Sequence, residues 1–453
     1  RLSQWVPPVA HLRPLGLFRT CLTYQIPFMV RPGRASMAWD AESITGPDGQ
    51  DWRVPVSELE SRQKALSSAL TSEGIESILI DDPVELYWLT GGRQNSILLV
   101  GSEESGIETT HWVRRSLERA VFESGGADSP HHSEKQPRMA SLSDSLVSSG
   151  CTERPSMLSG KVPHDRWSFL NSKMSGIPGE SLDGTGILYS LREVKSEWEI
   201  QMHKESGEVN SRMFEAVSEA GKEGCTELDL AAAADSVSRE AGFGGRIRMR
   251  RWPMDCDRVV VAAGRSGSVP SYFDSAIGGL GASPISSLGA GFGRVKAGDP
   301  VLVDIVHLHR GYVSDCTRMF SVGSLDEEWM SRLDDMIEIK QAVVGQLGKG
   351  EDCSSAWLRG SEMASEMGHS RNLMGMHPNQ SSFLGHSVGL ELDETPVVAL
   401  GFDRELSIGG TMAIEPKVIH EEGAIGNEDT WVRTSGGMEC LTAGSSLPDL
   451  MEW

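Results

Sequence analysis

Apolar residues recur at helical spacing in four stretches of the chain, each bounded by residues that start or stop helices. The first predicted helix opens with a capping box at Ser57–Glu60 and stops at Gly74. The others are predicted from the box at Ser196–Glu199 to Gly221, from Thr226–Asp229 to near Gly242, and over residues 326–347. Short apolar runs lie between and after these helices, and we interpret them as strands.

Three short apolar runs follow the first helix and predict strands at Ser77–Ile80, Val84–Leu89 and Ser96–Val100. A helix followed closely by strands indicates a small α/β domain. Residues 124–165 are rich in Ser, Gly, Pro and His and show little periodicity, so we predict a loop-rich or eroded stretch there. Later in the chain, helices outside and an antiparallel sheet inside predict the α+β fold class.

The pattern divides the chain into three predicted parts. Residues 51–186 form the smaller α/β domain, and residues 187–453 form the larger α+β domain. Residues 1–50 form an N-terminal extension, which we interpret as disordered or not native. Its first 36 residues contain five arginines and no acidic residue, and Met37 follows them. A transit peptide for organellar import has this composition, and so does translated sequence upstream of the true start.

Composition narrows the classes of function. With 453 residues, 39% of them hydrophobic, the chain has ample sequence for more than one domain with a core. Nucleic acid and anionic membranes are disfavoured as partners because the formal net charge is −22. No run of roughly 18 apolar residues exists, so no membrane span is predicted. The seven cysteines form no C-x-x-C pair, which favours reduced thiols and a cytoplasmic location.

Five potential metal ligands follow one another along the C-terminal third of the chain: Asp304, Asp315, His386, Glu415 and Glu428. Each lies in an apolar or glycine-rich segment. Unpaired acids are costly to bury in such segments, whereas divalent cations make their burial favourable. Four carboxylates and one imidazole are a suitable ligand set for two hard divalent cations that share a bridging water.

The first two ligands lie in apolar runs that predict the strands of a β-hairpin. If the turn centres on His309 and Arg310, Asp304 lies directly opposite Asp315. Like charges that face each other across a sheet are destabilising unless a positive charge lies between them. A register shifted by two residues would weaken this pairing but would keep both carboxylates on one face.

The other three ligands have distinct local settings. His386 lies between Gly385 and Gly389, where backbone can approach closely. Glu415 is the one carboxylate of an apolar strand, and Glu428 comes just before another strand start. A single acid in a strand is more often an edge or turn residue than a ligand. The five together, in this order, are specific.

The segments that carry these ligands resemble the creatinase/prolidase/methionine-aminopeptidase superfamily, and look most like its Xaa-Pro-peptidase-like branch. The matching segments are Val301–Phe320, Phe383–Pro396, Ala413–Val418 and Asn427–Thr430. The resemblance extends from about residue 55 to residue 445, with a poor match over 124–165. It implies a C-terminal pita-bread fold, an antiparallel sheet core with outer helices, preceded by a creatinase-type α/β domain. It also implies a homodimer.

The resemblance further implies a role for each ligand. Asp304 would bind one metal ion, His386 and Glu415 the other, and Asp315 and Glu428 would bridge both. Two dications would neutralise the four carboxylates, and the pKa of a bridging water would fall toward neutrality. Glu415 would take the proton of this water and pass it to the leaving nitrogen. Oxygen-rich ligation favours Mn, with Co, Fe or Zn as alternatives.

The chain departs from the resemblance where substrate would bind. Peptidases of the superfamily usually carry further histidines, and this chain has Ser271 before Tyr272 and Asp393 after the metal histidine instead. Ser382 stands where a third histidine is frequent. Ser271, Tyr272 and Asp393 are therefore the candidate substrate-binding residues.

Three functions follow as hypotheses. The first is a dinuclear metallohydrolase of peptide bonds, of aminopeptidase P or prolidase type. The altered substrate side suggests the second, a small-molecule C–N hydrolase of creatinase or ectoine-hydrolase type. The third is a non-catalytic binding module on the same scaffold, although that reuse usually loses ligands and this chain retains all five. The predicted partner is accordingly a peptide or small amide.

Overall fold

The predicted apolar stripes all form helices in the computed structural model, which describes residues 46–243, 245–442 and 447–453. Most of the predicted extension over residues 1–50, including its first 36 residues, lies outside the described residues. The α-helices of the described residues are α1 (Val56–Ser72), α2 (Pro83–Thr90), α3 (Leu117–Glu123), α4 (Leu142–Ser148), α5 (His164–Lys173), α6 (Thr185–Glu193), α7 (Glu197–Ala220), α8 (Glu227–Glu240), α9 (Glu327–Lys349) and α10 (Cys353–Glu366).

Capping chemistry sets several of these helix starts. Ser196 forms the predicted capping box of α7, and Thr226 forms a capping box at the predicted start of α8. The box predicted at Ser57 does not form, because α1 begins earlier with Pro55 as its N-cap. The predicted boundary between residues 186 and 187 falls inside α6 and stays a prediction.

The strands come in two groups along the chain. They are β1 (Ser77–Ile80), β2 (Ser96–Gly101), β3 (Thr110–Val113), β4 (His132–Lys135), β5 (Ser156–Met157), β6 (Val259–Ala263), β7 (Val301–His309), β8 (Tyr312–Ser321), β9 (Gly385–Ser387), β10 (Glu394–Val397), β11 (Thr411–Ile414), β12 (Lys417–His420), β13 (Gly423–Gly426), β14 (Asp429–Thr434), β15 (Gly437–Cys440) and β16 (Leu450–Glu452).

The first five strands form one mixed sheet in the order β4-β3-β2-β1-β5. The loop-rich interpretation of residues 124–165 is wrong, because β4, α4 and β5 lie there. β4 is an edge strand whose residues are mostly exposed, so its sequence is polar and shows no apolar alternation. The prediction of a small α/β region is confirmed.

The run Val84–Leu89 was predicted as a strand and is instead helix α2. The Asp82 side chain caps this helix by accepting hydrogen bonds from two N–H groups of its first turn, and Pro83 occupies the first helical position. Gly91 ends the helix with a φ of 72°. Most of its residues are buried, and an apolar run of this length resembles a buried strand.

The later strands form three sheets, in the orders β16-β8-β7-β6, β10-β9-β11-β14-β15 and β12-β13. All described pairings in these sheets are antiparallel except that of β16 with β8. α7 and α8 cover the first sheet, and α9 packs against strands of the other two. The predicted α+β architecture with antiparallel sheets and outer helices is confirmed.

The β7–β8 hairpin has a different register from the one that places its two carboxylates face to face. Its turn consists of Arg310 and Gly311, whose φ angles are 51° and 97°. Asp304 consequently lies opposite Thr317, two residues beyond Asp315. The prediction that Asp304 lies directly opposite Asp315 is wrong. The observed register is the one shifted by two residues, and it keeps both carboxylates on one face of the sheet.

In the described part of the chain, no helix is long and apolar enough to cross a bilayer.

Candidate metal centre

Three of the predicted ligands lie where the sheet β16-β8-β7-β6 meets the sheet β10-β9-β11-β14-β15. Asp304 lies on β7 and Asp315 on β8. Glu428 precedes β14 and exchanges backbone hydrogen bonds of 3.3 Å with Thr317. The Thr430 hydroxyl donates to the Asp315 carbonyl at 2.9 Å and accepts from its N–H at 3.0 Å. These bonds fix the distance between the sheets and therefore between the carboxylates.

His386 and Glu415 come from the five-stranded sheet. His386 is the middle residue of β9, opposite Ala413 of β11, and Glu415 directly follows that strand. A Cβ atom added to Gly385 would lie 2.3 Å from the Ala413 carbonyl oxygen, and one added to Gly389 would lie 2.5 Å from the Glu394 carboxylate. The predicted close approach of backbone beside the imidazole is confirmed.

Gly385→Ala should displace His386 and weaken metal binding. The added methyl group would overlap a backbone carbonyl that cannot rotate away, so the strands must separate, at about 1–3 kcal/mol of stability. Thermal unfolding and metal titration measure the two effects. Gly345→Ala on α9 is the matched control, because, beyond its chain neighbours and the backbone of its own helix, no atom of residues 46–243, 245–442 or 447–453 lies within 4 Å of its added Cβ. Equal behaviour of the two variants would contradict the steric argument.

The side chains of all five predicted ligands come together. One ligand atom each from Asp315, His386 and Glu428 lies within 4.8 Å of the others. His386 Nε2 is 3.3 Å from Glu415 Oε1 and 3.8 Å from Asp315 Oδ2. The side chain of Asp304 lines the same cavity as those of Asp315, His386 and Glu415. The group forms a single cluster in which three members are close enough to share an ion.

Lys417 is a member of this cluster that sequence reasoning missed. Its ammonium lies 2.6 Å from Glu415 Oε2, 2.9 Å from Glu428 Oε2 and 3.6 Å from Asp304 Oδ2. The side chain is 1% exposed. The sequence does contain a signal for it. Residues two apart in an extended segment share a face, so Lys417 is expected on the same face as Glu415.

Several oxygens of the cluster have no partner within the described residues. Asp304 Oδ1, Asp315 Oδ1 and Glu428 Oε1 are buried without a hydrogen bond. A buried carboxylate oxygen without a donor is costly unless a cation lies beside it. Carboxylate oxygens with one imidazole nitrogen are hard to borderline donors, and they suit a divalent ion.

The pKa values reflect this crowding. Burial raises the pKa of Glu428 to about 8, although the charge of Lys417 opposes the rise. Burial and the charges of Glu428 and Asp304 hold the pKa of Asp315 well above its usual value. Burial would also raise the pKa of Glu415, but Lys417 and His386 outweigh it and lower that pKa to about 2. Glu415 is therefore an ionised carboxylate at neutral pH.

Asp429 shows why only one of two adjacent acids belongs to the cluster. Its carboxylate is held by Arg318 at 2.8 Å and Lys340 at 2.6 Å, on the opposite side from Glu428. Arg318 also donates to the Glu428 carbonyl at 2.8 Å. Asp429 is thus neutralised by protein cations, while Glu428 Oε1 is left free.

The cluster lies at the end of a cleft with an inner and an outer part. The inner cavity has a volume of about 60 Å³, and Asp304, Asp315, His386 and Glu415 line it. The outer cavity has a volume of about 400 Å³. Both parts share the lining residues Arg251, Asp274, Phe383, His386 and Asp393. The two cavities therefore adjoin each other beside His386.

The predicted substrate residues occupy different positions relative to this cleft. Asp393 lines both cavities and accepts hydrogen bonds from the backbone N–H groups of Arg250 and Arg251. Ser271 and Tyr272 do not line either cavity, and the Tyr272 hydroxyl donates to the Asp255 carbonyl at 3.0 Å. Their roles in substrate binding stay predictions. The neighbouring Asp274 faces the cleft instead.

The chain is similar in sequence to two Xaa-Pro dipeptidases. An Xaa-Pro dipeptidase of Pyrococcus horikoshii is 26% identical over 257 residues, which are 56% of this chain and 64% of that enzyme. An Xaa-Pro dipeptidase of Pyrococcus furiosus is 24% identical over 257 residues, which are 56% of this chain and 65% of that enzyme. The chain thus matches just under two thirds of the length of these two relatives.

Solved structures share the fold. An Xaa-Pro dipeptidase from Bacillus anthracis superposes with a TM-score of 0.71 at 19% identity, covering 87% of this chain and 100% of that one. The pita-bread fold with its N-terminal domain, and the resemblance to the Xaa-Pro-peptidase-like branch, are confirmed.

Residues 201–435, just over half of the chain, match the model of metallopeptidase family M24. The chain therefore belongs to metallopeptidase family M24.

Proposed function

We propose that the chain is a divalent-metal hydrolase of amide and peptide C–N bonds, of Xaa-Pro peptidase type. The observation that carries the proposal is the arrangement of Asp315 and Glu428 beside His386 at the end of a cleft, where one buried oxygen of each carboxylate has no hydrogen-bond partner in the described part of the chain. The two Xaa-Pro dipeptidase relatives support the choice of substrate class.

The proposed ligands are the five predicted residues. The resemblance implies two ions, with Asp304 on one, His386 and Glu415 on the other, and Asp315 and Glu428 shared. Mn is the preferred ion for an oxygen-rich set, with Co, Fe or Zn as alternatives. Such ions lower the pKa of a bound water so that it can attack an amide carbonyl. The number of ions depends on Lys417, whose ammonium lies among three of the carboxylates.

Glu415 is the proposed proton carrier. Its carboxylate is ionised, with Oε1 turned toward His386 and Oε2 held by the Lys417 ammonium. This hold fixes the orientation of the carboxylate, so that Oε1 can accept a proton from water and later give it to the leaving nitrogen. Thr317 and Lys417 hold Glu428 Oε2 in the same way, at 2.7 and 2.9 Å.

The cleft supplies complementary groups for a dipeptide. Arg251 can pair with a substrate carboxylate, and Asp274 and Asp393 can pair with a substrate ammonium. Phe383 and Leu392 give the inner cavity apolar surface. Arg251 pairs with Asp274 at 3.5 Å and with Asp393 at 3.4 Å, and a zwitterionic substrate would compete for these groups.

A small-molecule C–N hydrolase of creatinase or ectoine-hydrolase type is the second candidate. It is favoured by the inner cavity of about 60 Å³ and by Asp393, the residue that replaces a usual histidine.

We also propose a homodimer, on the basis of the resemblance, and a cytoplasmic location, on the basis of the scattered cysteines.

Hydrolysis of Ala-Pro-type dipeptides is expected to depend fully on a divalent ion. Chelator-treated protein should lose activity, and added Mn should restore it. Amino-acid release from a panel of Xaa-Pro dipeptides, cyclic amides and guanidino amides measures this. Strong turnover of the dipeptides would exclude the small-molecule candidate. Turnover that survives metal removal would contradict the proposal, and protein that binds no ion and hydrolyses nothing would favour a binding module.

A further inference from the structure

We propose that the Lys417 ammonium takes the position of a second metal ion, so that this centre holds one divalent cation rather than two. The inference rests on the proposed function and deepens it. Lys417 contacts three of the four cluster carboxylates, at 2.6, 2.9 and 3.6 Å. Those distances are hydrogen-bonding and ion-pair distances, so the ammonium is the existing counter-ion of this side of the cluster.

The carboxylate atoms divide into two sets. The Lys417 ammonium donates hydrogen bonds to the Oε2 atoms of Glu415 and Glu428 and lies near Oδ2 of Asp304. On the other side, Glu415 Oε1 faces His386 Nε2 at 3.3 Å, and Glu428 Oε1 has no hydrogen-bond partner among the described residues. Asp315 completes this side, 3.8 Å from the same nitrogen. One complete set of donors is thus open around His386.

The set around Asp304 is only partly open. Asp304 Oδ1 and Asp315 Oδ1 have no hydrogen-bond partner among the described residues, but the Lys417 ammonium lies 3.6 Å from Asp304 Oδ2. An ion on that side would need oxygens of Asp304, Asp315 and Glu428. Glu428 Oε2 already accepts from Lys417 and from Thr317, at 2.9 and 2.7 Å. A second dication there would lie within a few ångströms of the ammonium, and the two positive charges would repel each other in a buried site.

The fold makes room for the lysine. β12 begins at Lys417 and pairs with β13 so that Lys417 lies opposite Gly426. A Cβ added to Gly426 would lie 2.4 Å from Lys417 Cγ. The absence of a side chain at residue 426 therefore gives the lysine stem its path into the cluster. Since the lysine is 1% exposed and starts a paired strand, its ammonium has no short route to solvent.

The charge of the cluster is compatible with one ion. One dication and one ammonium leave a single negative charge among the four carboxylates. Two dications with the ammonium would give the buried cluster an excess positive charge before any hydroxide binds. Asp304 would accordingly pair with the Lys417 ammonium rather than bind a metal ion of its own.

The number of bound ions tests the inference without reference to activity. Protein saturated with Mn and freed of loose ions should contain one Mn per chain by elemental analysis, with an uncoupled Mn(II) paramagnetic resonance spectrum. Lys417→Ala removes the ammonium and empties its position, so the content should rise to two, with a spin-coupled spectrum. Lys417→Arg keeps the cation and should stay at one.

A second pair of variants tests the same point if Lys417→Ala does not fold. Asp304→Asn should retain one ion, whereas Asp315→Asn should retain none. Two coupled ions in the unmodified protein, or loss of the ion from both variants alike, would overturn the inference and leave the proposed function intact. Unmodified protein that folds but binds no Mn at all would overturn the proposed function and this inference together.

Discussion

Replacing Asp315 by asparagine is expected to abolish metal-dependent hydrolysis while making the metal-free protein more stable. Asp315 belongs to the group of three whose ligand atoms lie within 4.8 Å of one another. Asparagine keeps the shape of the side chain but removes its negative charge. Loss of several kcal/mol of metal-derived transition-state stabilisation corresponds to a fall in rate on the order of 10³-fold.

The stability change has the opposite sign because Asp315 is buried among other carboxylates. Burial and the charges of Glu428 and Asp304 raise its pKa well above 3.8. A carboxyl group whose pKa is higher in the folded than in the unfolded state lowers stability as the pH rises from the unfolded toward the folded value. At neutral pH the unmodified metal-free protein carries this penalty, and we expect the variant to be about 1–3 kcal/mol more stable.

Thermal unfolding with and without Mn measures both effects. A ligand at 100 times its Kd stabilises the folded state by about 2.7 kcal/mol, so added Mn should raise the Tm of the unmodified protein and not that of the variant. Asp334→Asn, on an exposed position of α9, is the control for the same chemical change. An Asp315→Asn protein that is still stabilised by Mn and still hydrolyses substrate would contradict the assignment.

The candidate ligands could be predicted from sequence because each breaks a local pattern. An acid in an apolar strand, such as Asp304 or Glu415, is conspicuous against its neighbours. His386 between two glycines is conspicuous for the same reason. The register of the hairpin could not be fixed in this way, because the turn at Arg310 and Gly311 differs from the expected one by a single residue.

Contacts between distant segments were beyond the reach of the sequence. Glu85 lies on α2 and Glu394 on β10, and both are buried beside Arg192 of α6. Charged residues on helices are usually exposed, so nothing in the local pattern predicts that these three meet. Lys417 is an intermediate case, because its face could be predicted but its three carboxylate partners could not.

Arg192→Met is expected to cause a large loss of stability. The guanidinium is 2% exposed and lies 2.5 Å from Glu85 Oε1 and 3.0 Å from Glu391 Oε2, and it also pairs with Glu394. Methionine would fill most of the volume but would leave three buried carboxylates without this partner. Breaking a buried ion pair from one side costs about 3–5 kcal/mol, a large part of a typical stability of about 5–15 kcal/mol.

Other cations of the network cannot replace Arg192, because their positions are already set. Lys161 lies 2.6 Å from Glu85 and 3.1 Å from Glu391, and Lys195 lies 3.1 Å from Glu394. Since β10, which contains Glu394, pairs with β9, which contains His386, the variant should also bind metal more weakly. Urea unfolding and metal titration are the measurements.

Arg404→Met is the matched control for this substitution. Arg404 pairs with Glu193 of the same helix α6 at 2.7 Å, but its side chain is 48% exposed. An exposed pair of this kind contributes roughly 0–1 kcal/mol, so the control should unfold close to the unmodified protein. A control that loses as much stability as Arg192→Met would show that burial is not what distinguishes the two arginines.

The pH dependence separates the charge of Arg192 from its packing. Burial would raise the pKa of Glu391, but Arg192 and its neighbours lower it to about 2, and the pKa of Glu394 is lowered as well. A carboxylate with a lowered folded pKa stabilises the protein above its unfolded value of 4.5, and this contribution is lost as the pH falls toward the folded value. The difference in unfolding free energy between unmodified protein and Arg192→Met should therefore be largest near neutral pH and shrink steadily below about 4.5. A difference that stays constant down to the folded pKa would mean that Arg192 acts through the volume of its side chain and not through its charge.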